Sequence, residues 1–249
     1  MTAPWRDSFE VDGVAGGAIK LEQIDRKQFA LESTVGYVGE LTGLEGKIDE
    51  SVIDEIRVVG PFTTDLASVP GPLRWFVGRY GVHTPAALIH DHLIGKTPPI
   101  TGLKDWHADR FFRFMLKDLG VRWIRRWLIW AAVATRTRFE AQGLRRVGVV
   151  VWVLSALGGM TTFLVGVVTT SPSLLLIATV APVPFAALWG RQYGAGLVAS
   201  YSAPWIVPPT VVGALGYGVY WALETVLGHF VGIFSRDVAG DEPYGYETF

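Results

Sequence analysis

The chain has 249 residues and a net charge of −1, and only 18% of it is charged, against ~25% in an ordinary globular protein. It has no cysteine, which excludes a disulfide framework and thiolate metal sites. The charge deficit has a location: from Val147 onward only Arg191 and Arg236 remain of the 22 basic residues, so a polar part, residues 1–146, precedes an apolar one.

The opening MTAPWRDSFEVDG lacks the basic start and apolar run of a signal peptide, so the first domain is expected to stay on the cytoplasmic side. The first sixty residues are strand-like. Phe29, Leu31, Ser33 and Val35 alternate with Ala30, Glu32 and Thr34, and Ile53–Val59 gives a second strand before Gly60–Pro61. Gly13–Gly17 and Gly43–Glu50 read as turns. From Pro85 the period becomes helical. Ala86–Leu93 predicts one helix, and Trp106–Leu119 a second with Phe111, Phe112, Met115 and Leu119 on one face. Strands followed by helices predict an α+β domain over 1–146.

Charge is uneven within that domain. Residues 1–103 carry 9 basic and 14 acidic side chains, and residues 104–146 carry 11 and 4. In the segment 120–137, Arg122, Arg125 and Arg126 alternate with Trp123, Trp127 and Trp130. Two readings are open for it. One is an interfacial helix on anionic lipid headgroups, with Arg122, Trp123, Arg125, Arg126 and Trp127 joined by Arg145 and Arg146 as the membrane-surface residues. The other is a core helix with a solvated basic edge. Nucleic acid is not an expected partner beside a membrane segment.

Residues 147–234 read as about three transmembrane helices, at 147–170, 173–189 and 203–223, followed by an acidic tail, 235–249. The first has no charge over 24 residues, ~36 Å of helix against a ~30 Å hydrocarbon core. The second contains Pro182 and Pro184 and is expected to be kinked or re-entrant. The third carries Trp205 and Trp221, which suit interfaces, and an Ala214/Gly218 small-residue pair. Arg145 and Arg146 before the first span and Arg191 after the second predict those ends inside. The 170–173 turn and the tail are then expected outside, and the protein is expected to be a multi-pass membrane protein.

Three blocks between the strands and the basic segment are the most specific feature. They are Phe62-Thr63-Thr64-Asp65-Leu66-Ala67-Ser68-Val69-Pro70, Ala86-Ala87-Leu88-Ile89-His90-Asp91-His92-Leu93, and Ala108-Asp109-Arg110-Phe111-Phe112. In this order they resemble a phage- and prophage-associated family, domain of unknown function 1353, over roughly residues 29–137. Pro61, His92 and Ile94 depart from its usual pattern. The resemblance implies a phage or prophage setting, virion association included. It carries no established activity.

Asp65, His90, Asp91 and Asp109 are the candidate catalytic residues. His90, Asp91 and Asp109 could hold a divalent metal, whose bound water becomes a nucleophile. His90 and His92 point ~200° apart on a helix and cannot share that metal. The alternative is structural: Asp65 and Ser68 fix a turn, and His90 donates to Asp65 or Asp109 as a buried tie. No spacing supports a Ser68–His90–Asp109 triad. Three functions are therefore expected to compete. The first is a membrane-anchored accessory or structural protein with a phage or host protein partner. The second is a membrane-tethered metal-dependent hydrolase. The third is a holin-like lysis protein, against which the sparse charge of the spans (Glu224, His229) argues.

Overall fold

Asp12 and Gly13 make the first tight turn. Both sit at positive φ, 51° and 75°, as a two-residue type I′ hairpin requires and Asp-Gly readily adopts. The turn pairs β1 (Phe9–Val11) with β2 (Val14–Ala15), Val11 opposite Val14. The computed structural model describes residues 8–25, 28–41, 44, 56–58, 60, 62–64, 78, 81–95, 103–141 and 143–235. Within these, five further short strands follow: β3 (Leu21–Gln23), β4 (Phe29–Leu31), β5 (Val35–Tyr37), β6 (Arg57–Val58) and β7 (Phe62–Thr64). All the pairings are antiparallel, in two sheets ordered β2-β1-β5-β6 and β3-β4-β7.

The alternating run 29–35 is therefore two strands in two sheets, not one. The chain changes sheet at Glu32–Thr34, where Ser33 is buried and its Oγ accepts the Lys20 N–H at 2.9 Å. Thr34 is pinned to the first hairpin: its N–H donates to Asp12 Oδ1 at 2.7 Å. The second expected strand is present as β6, with Ile56 and Val58 fully buried. The turn expected at 43–50 lies outside the described residues apart from Leu44.

The helical period is realised as α1 (Thr84–Leu93), α2 (Asp105–Asp118) and α3 (Trp123–Glu140). Pro85 occupies the first turn of α1, where its missing N–H costs nothing. Strands and helices enclose a first core. Its aromatic centre is Tyr37, edge-on to Phe9 at 5.0 Å and to Phe111 at 5.2 Å, with its hydroxyl donating to Asp118. The first part is thus α+β, as its order of elements predicts.

α3 belongs to two cores. Ile129 closes the first, while Trp130, Ala131 and Ala134 enter a second with Trp152, Trp189 and Ala195. That second core joins α3 to the apolar part, which is helical: α4 (Leu144–Val168), α5 (Pro172–Val180), α6 (Pro182–Ala186), a 3-10 turn (Ala187–Gln192) and α7 (Tyr193–Ser235). After α4 the chain reverses tightly. Thr170 has φ 51°, and the Ser171 N–H donates to the Gly166 carbonyl at 2.9 Å. Residues 172–192 then run back along α4. Gly166 faces Leu174 and Leu175 at one end, and Gly148 faces Leu188 at the other. The returning segment is broken at Pro182 and at Gly190 (φ 52°), the kink expected from its prolines.

α7 lies against the same hairpin. Trp152 Nε1 donates to Ser200 Oγ at 2.9 Å, and the Tyr201 hydroxyl donates to the Thr179 carbonyl at 2.7 Å. It spans Tyr193–Ser235, wider than the expected 203–223, and runs through Pro204, Pro208 and Pro209. Hydroxyls of the same stretch bond to helix carbonyls, Ser200 Oγ to Gly196 at 2.8 Å and Thr210 Oγ1 to Ile206 at 2.6 Å, and the helix continues past each missing N–H. Two stretches, Leu144–Val168 and Pro172–His229, are long and apolar enough to cross a membrane. Only 11% of each apolar window is buried, whereas a helix in a soluble core is mostly covered.

Trp189 has no exposure and fills the space that Gly196 leaves; a Cβ there would lie 2.7 Å from its Cγ. Gly196→Ala is expected to destabilise the protein by about 1–3 kcal/mol in thermal unfolding in detergent. Gly213→Ala, with open space around it, is expected to be neutral or to stabilise by up to ~1 kcal/mol.

Candidate functional site

α1 is covered along most of its length: Thr84 through His90 are all buried. Its C-terminal turn presents His90 to α2 and Asp91 to β7. The Thr64 hydroxyl donates to Asp91 Oδ2 at 3.0 Å. His90 Nε2 lies 2.9 Å from Asp109 Oδ1, and His90 Nδ1 lies 3.9 Å from Asp91 Oδ1. The second distance is that of an ion pair, too long for a hydrogen bond.

Asp109 has no exposure. Its carboxylate is met from three elements. His90 of α1 and Thr137 Oγ1 of α3 (3.0 Å) reach Oδ1. Gln192 Nε2, at the end of the 3-10 turn, donates to Oδ2 at 2.6 Å. Gln192 is itself fixed: Arg138 Nε donates to its Oε1 at 2.8 Å, and Arg138 Nη2 donates to the Trp189 carbonyl. The chain of contacts therefore runs from β7 through α1 and α2 to α3 and the apolar helices.

The electrostatics follow from this geometry. Burial acts most strongly on His90 and disfavours its charged form. The bond to Asp109, the proximity of Asp91 and the charges of both carboxylates together outweigh it and raise the imidazole to about 9. A protonated ring carries N–H on both nitrogens, and both face carboxylates. Among the described residues no group of three or more His, Asp or Glu side chains is arranged to hold a metal ion. Asp65 and Ser68 lie outside the described residues.

What the structure brings together is thus His90, Asp91 and Asp109. Thr64, Thr137, Arg138 and Gln192 complete the cluster and were not singled out from sequence. Gln192 had one available signal: it is a polar amide beside Arg191 in an otherwise apolar stretch. The membrane-surface set divides. Arg122, Trp123 and Arg125 are exposed on the first turn of α3, with Trp123 at 66%. Arg126 and Trp127 are half-buried. Trp127 packs against Gly194 of α7 and beneath Arg113, whose Cζ is 4.3 Å from the ring centroid. The first turn is therefore a solvated basic edge, and the rest of α3 is a core helix. Arg145 and Arg146 are exposed in the first turn of α4.

Two outcomes test the tie. Asp109→Ala leaves His90⁺ and Gln192 without their acceptor and is expected to cost ~3–5 kcal/mol in unfolding free energy. The His90 pKa is raised on folding, so its stabilisation is complete below pH 6.5 and is lost as pH rises through about 9. The thermal midpoint of the wild type is expected to fall across that window, and His90→Gln to flatten the fall. An unchanged pH profile in that variant contradicts the assignment.

Residues 45–133 match the model of a family described as "Protein of unknown function (DUF1353)". The match contains all three sequence blocks and ends within α3, so it covers the His90–Asp109 pair but not Thr137, Arg138 or Gln192. Comparison with curated proteins and with solved structures gave no match. The family resemblance expected from the three blocks therefore holds for the helices of the first domain, while strands β1 to β5 and the apolar helices lie outside the matched segment.

Proposed function

We propose that this chain is a multi-pass membrane protein whose α+β domain is held rigidly at the cytoplasmic surface, as an accessory or structural protein of phage or prophage type. The observation that carries the membrane reading is the uncovered apolar surface. Leu154, Leu164, Val168, Leu176, Leu215 and Leu227 are each more than half exposed, a surface that water disfavours and hydrocarbon accepts. The path of the chain supports three crossings: α4 outward, residues 172–192 back along it, and α7 outward again. Arg145 and Arg191 then lie at the same end, in agreement with the positive-inside bias. The exposed Arg122, Trp123 and Arg125 would rest on anionic headgroups.

The anchoring role of the first domain is supported by the fate of its polar cluster. Each contact of Asp109 is to a side chain of another element, so the cluster joins the first domain to the apolar part. The phage or prophage setting rests on the motif blocks alone. A protein partner from phage or host would be met by the first domain.

Carbonate-washed membranes from cells expressing the full chain are expected to retain it; release into the wash overturns the membrane reading. The absence of native cysteine allows topology to be read by labelling. A cysteine at Thr170 is expected to react with an impermeant maleimide in intact spheroplasts, and one at Ser8 only after lysis. The acidic tail is expected to resist protease in inside-out vesicles, whereas cleavage there supports two crossings.

A further inference from the structure

A cavity of about 290 Å³ opens where α2, α3, α4 and the 3-10 turn meet. Its lining includes Lys104, Arg138, Arg145 and Arg191 against one carboxylate, Asp105. Among the described residues no carboxylate lies within ion-pair distance of any of these four cations. Four positive charges around one concavity, with Asp105 in the lining and Asp109 acting on Arg138, leave it net positive and favour an anion.

We propose that this cavity is a binding site for a phosphate group, carried by a phospholipid headgroup or by a small phosphorylated solute. Arg138 is already oriented. Its Nε and Nη2 are engaged by Gln192 and the Trp189 carbonyl, which fixes the guanidinium plane at the cavity wall. Burial first, and then the charge of Arg145, push the Arg138 guanidinium below its ordinary value; an anion between the two removes that repulsion. Arg191 is held over the Trp106 ring, its Cζ 4.8 Å from the centroid, which leaves its N–H edges available. Trp106 lies in the first turn of α2, a helix whose start has no side-chain cap and so offers N–H groups and a positive dipole end to an anion. The size lies at the low end of ligand sites, ~300–1,000 Å³, and suits a headgroup rather than a large cofactor.

The lipid form of this proposal rests on the membrane reading; the cavity itself does not. Arg145 and Arg191 stand at the ends of apolar helices, the level at which basic pockets meet phospholipid headgroups.

The test uses the full chain purified in a non-ionic detergent. Thermal stability and native mass spectrometry are read while phosphatidylglycerol, phosphatidylcholine or inorganic phosphate is added at constant ionic strength. Binding of phosphatidylglycerol in preference to phosphatidylcholine, with inorganic phosphate inert, assigns a lipid headgroup. Stabilisation by inorganic phosphate assigns a soluble phosphate and holds even if the chain proves not to be membrane-inserted. Arg145→Gln and Arg191→Gln are each expected to weaken binding about fivefold. Arg145→Lys and Arg191→Lys should retain most of it and show that the fold survives. Lys20→Gln, exposed in the strand part of the first domain and away from the cavity, should leave binding unchanged. Failure of both probes to bind, or equal binding by the Arg145→Gln/Arg191→Gln double variant, overturns the proposal.

Discussion

A fully buried carboxylate is costly unless its charge is met, and Asp109 is met from three sides. A positive imidazole, a hydroxyl and an amide converge on its two oxygens. Each belongs to a different part of the chain, so the charge is satisfied only when α1, α3 and the 3-10 turn before α7 are all in place. Removing any one donor returns part of the desolvation cost of an ion in a low-dielectric interior. The arrangement makes the position of the apolar helices relative to the first domain a matter of electrostatics as well as packing. The Trp152–Trp189 edge contact, with centroids 5.0 Å apart, and the Gly196 notch then fill space around a geometry the polar cluster has already specified.

α3 makes that coupling possible. Its sequence carries arginines and tryptophans close together, and either interfacial or core packing was compatible with it. Core packing is realised over its later turns. Arg122, Trp123 and Arg125 stay exposed before the helix enters the interior. Ile129 turns to one core and Trp130 to the other. A helix shared between two cores cannot be a flexible linker, so the boundary near residue 146 is not a hinge.

Local pattern made much of this legible. The Asp-Gly turn, the period of α1 to α3, the charge-free α4 and the proline-broken return could all be read from neighbouring residues. The split of residues 29–35 between two sheets could not, because the alternation persists across Ser33 and only the Lys20–Ser33 contact breaks it. Of the cluster, His90, Asp91 and Asp109 stood out because carboxylates and imidazole are rare in apolar helices, and the His90–Asp109 tie was one of two readings. Gln192 is bonded to a residue 83 positions away. Nothing in its neighbourhood encodes that partner, and the same holds for Thr137 and Arg138. The length of α7 was also hidden: the expected span, 203–223, stopped before Glu224, whereas the helix runs from Tyr193 to Ser235.

That length has a mechanical consequence. The helix has 43 residues, ~64 Å at 1.5 Å per residue, about twice a ~30 Å hydrocarbon slab. A straight rod of this kind cannot be matched to any bilayer by tilt alone, since helices tilt by ~20° on average. Its prolines at 204, 208 and 209 remove the N–H groups that would bond the carbonyls of Ser200, Pro204 and Trp205. Bending is therefore cheapest at that point along the rod. In the bilayer proposed above, hydrophobic mismatch would act as a torque about those prolines: the first eleven residues are clamped by Trp189, Trp152 and Thr179, and lipid thickness would set the angle at which the remainder leaves them.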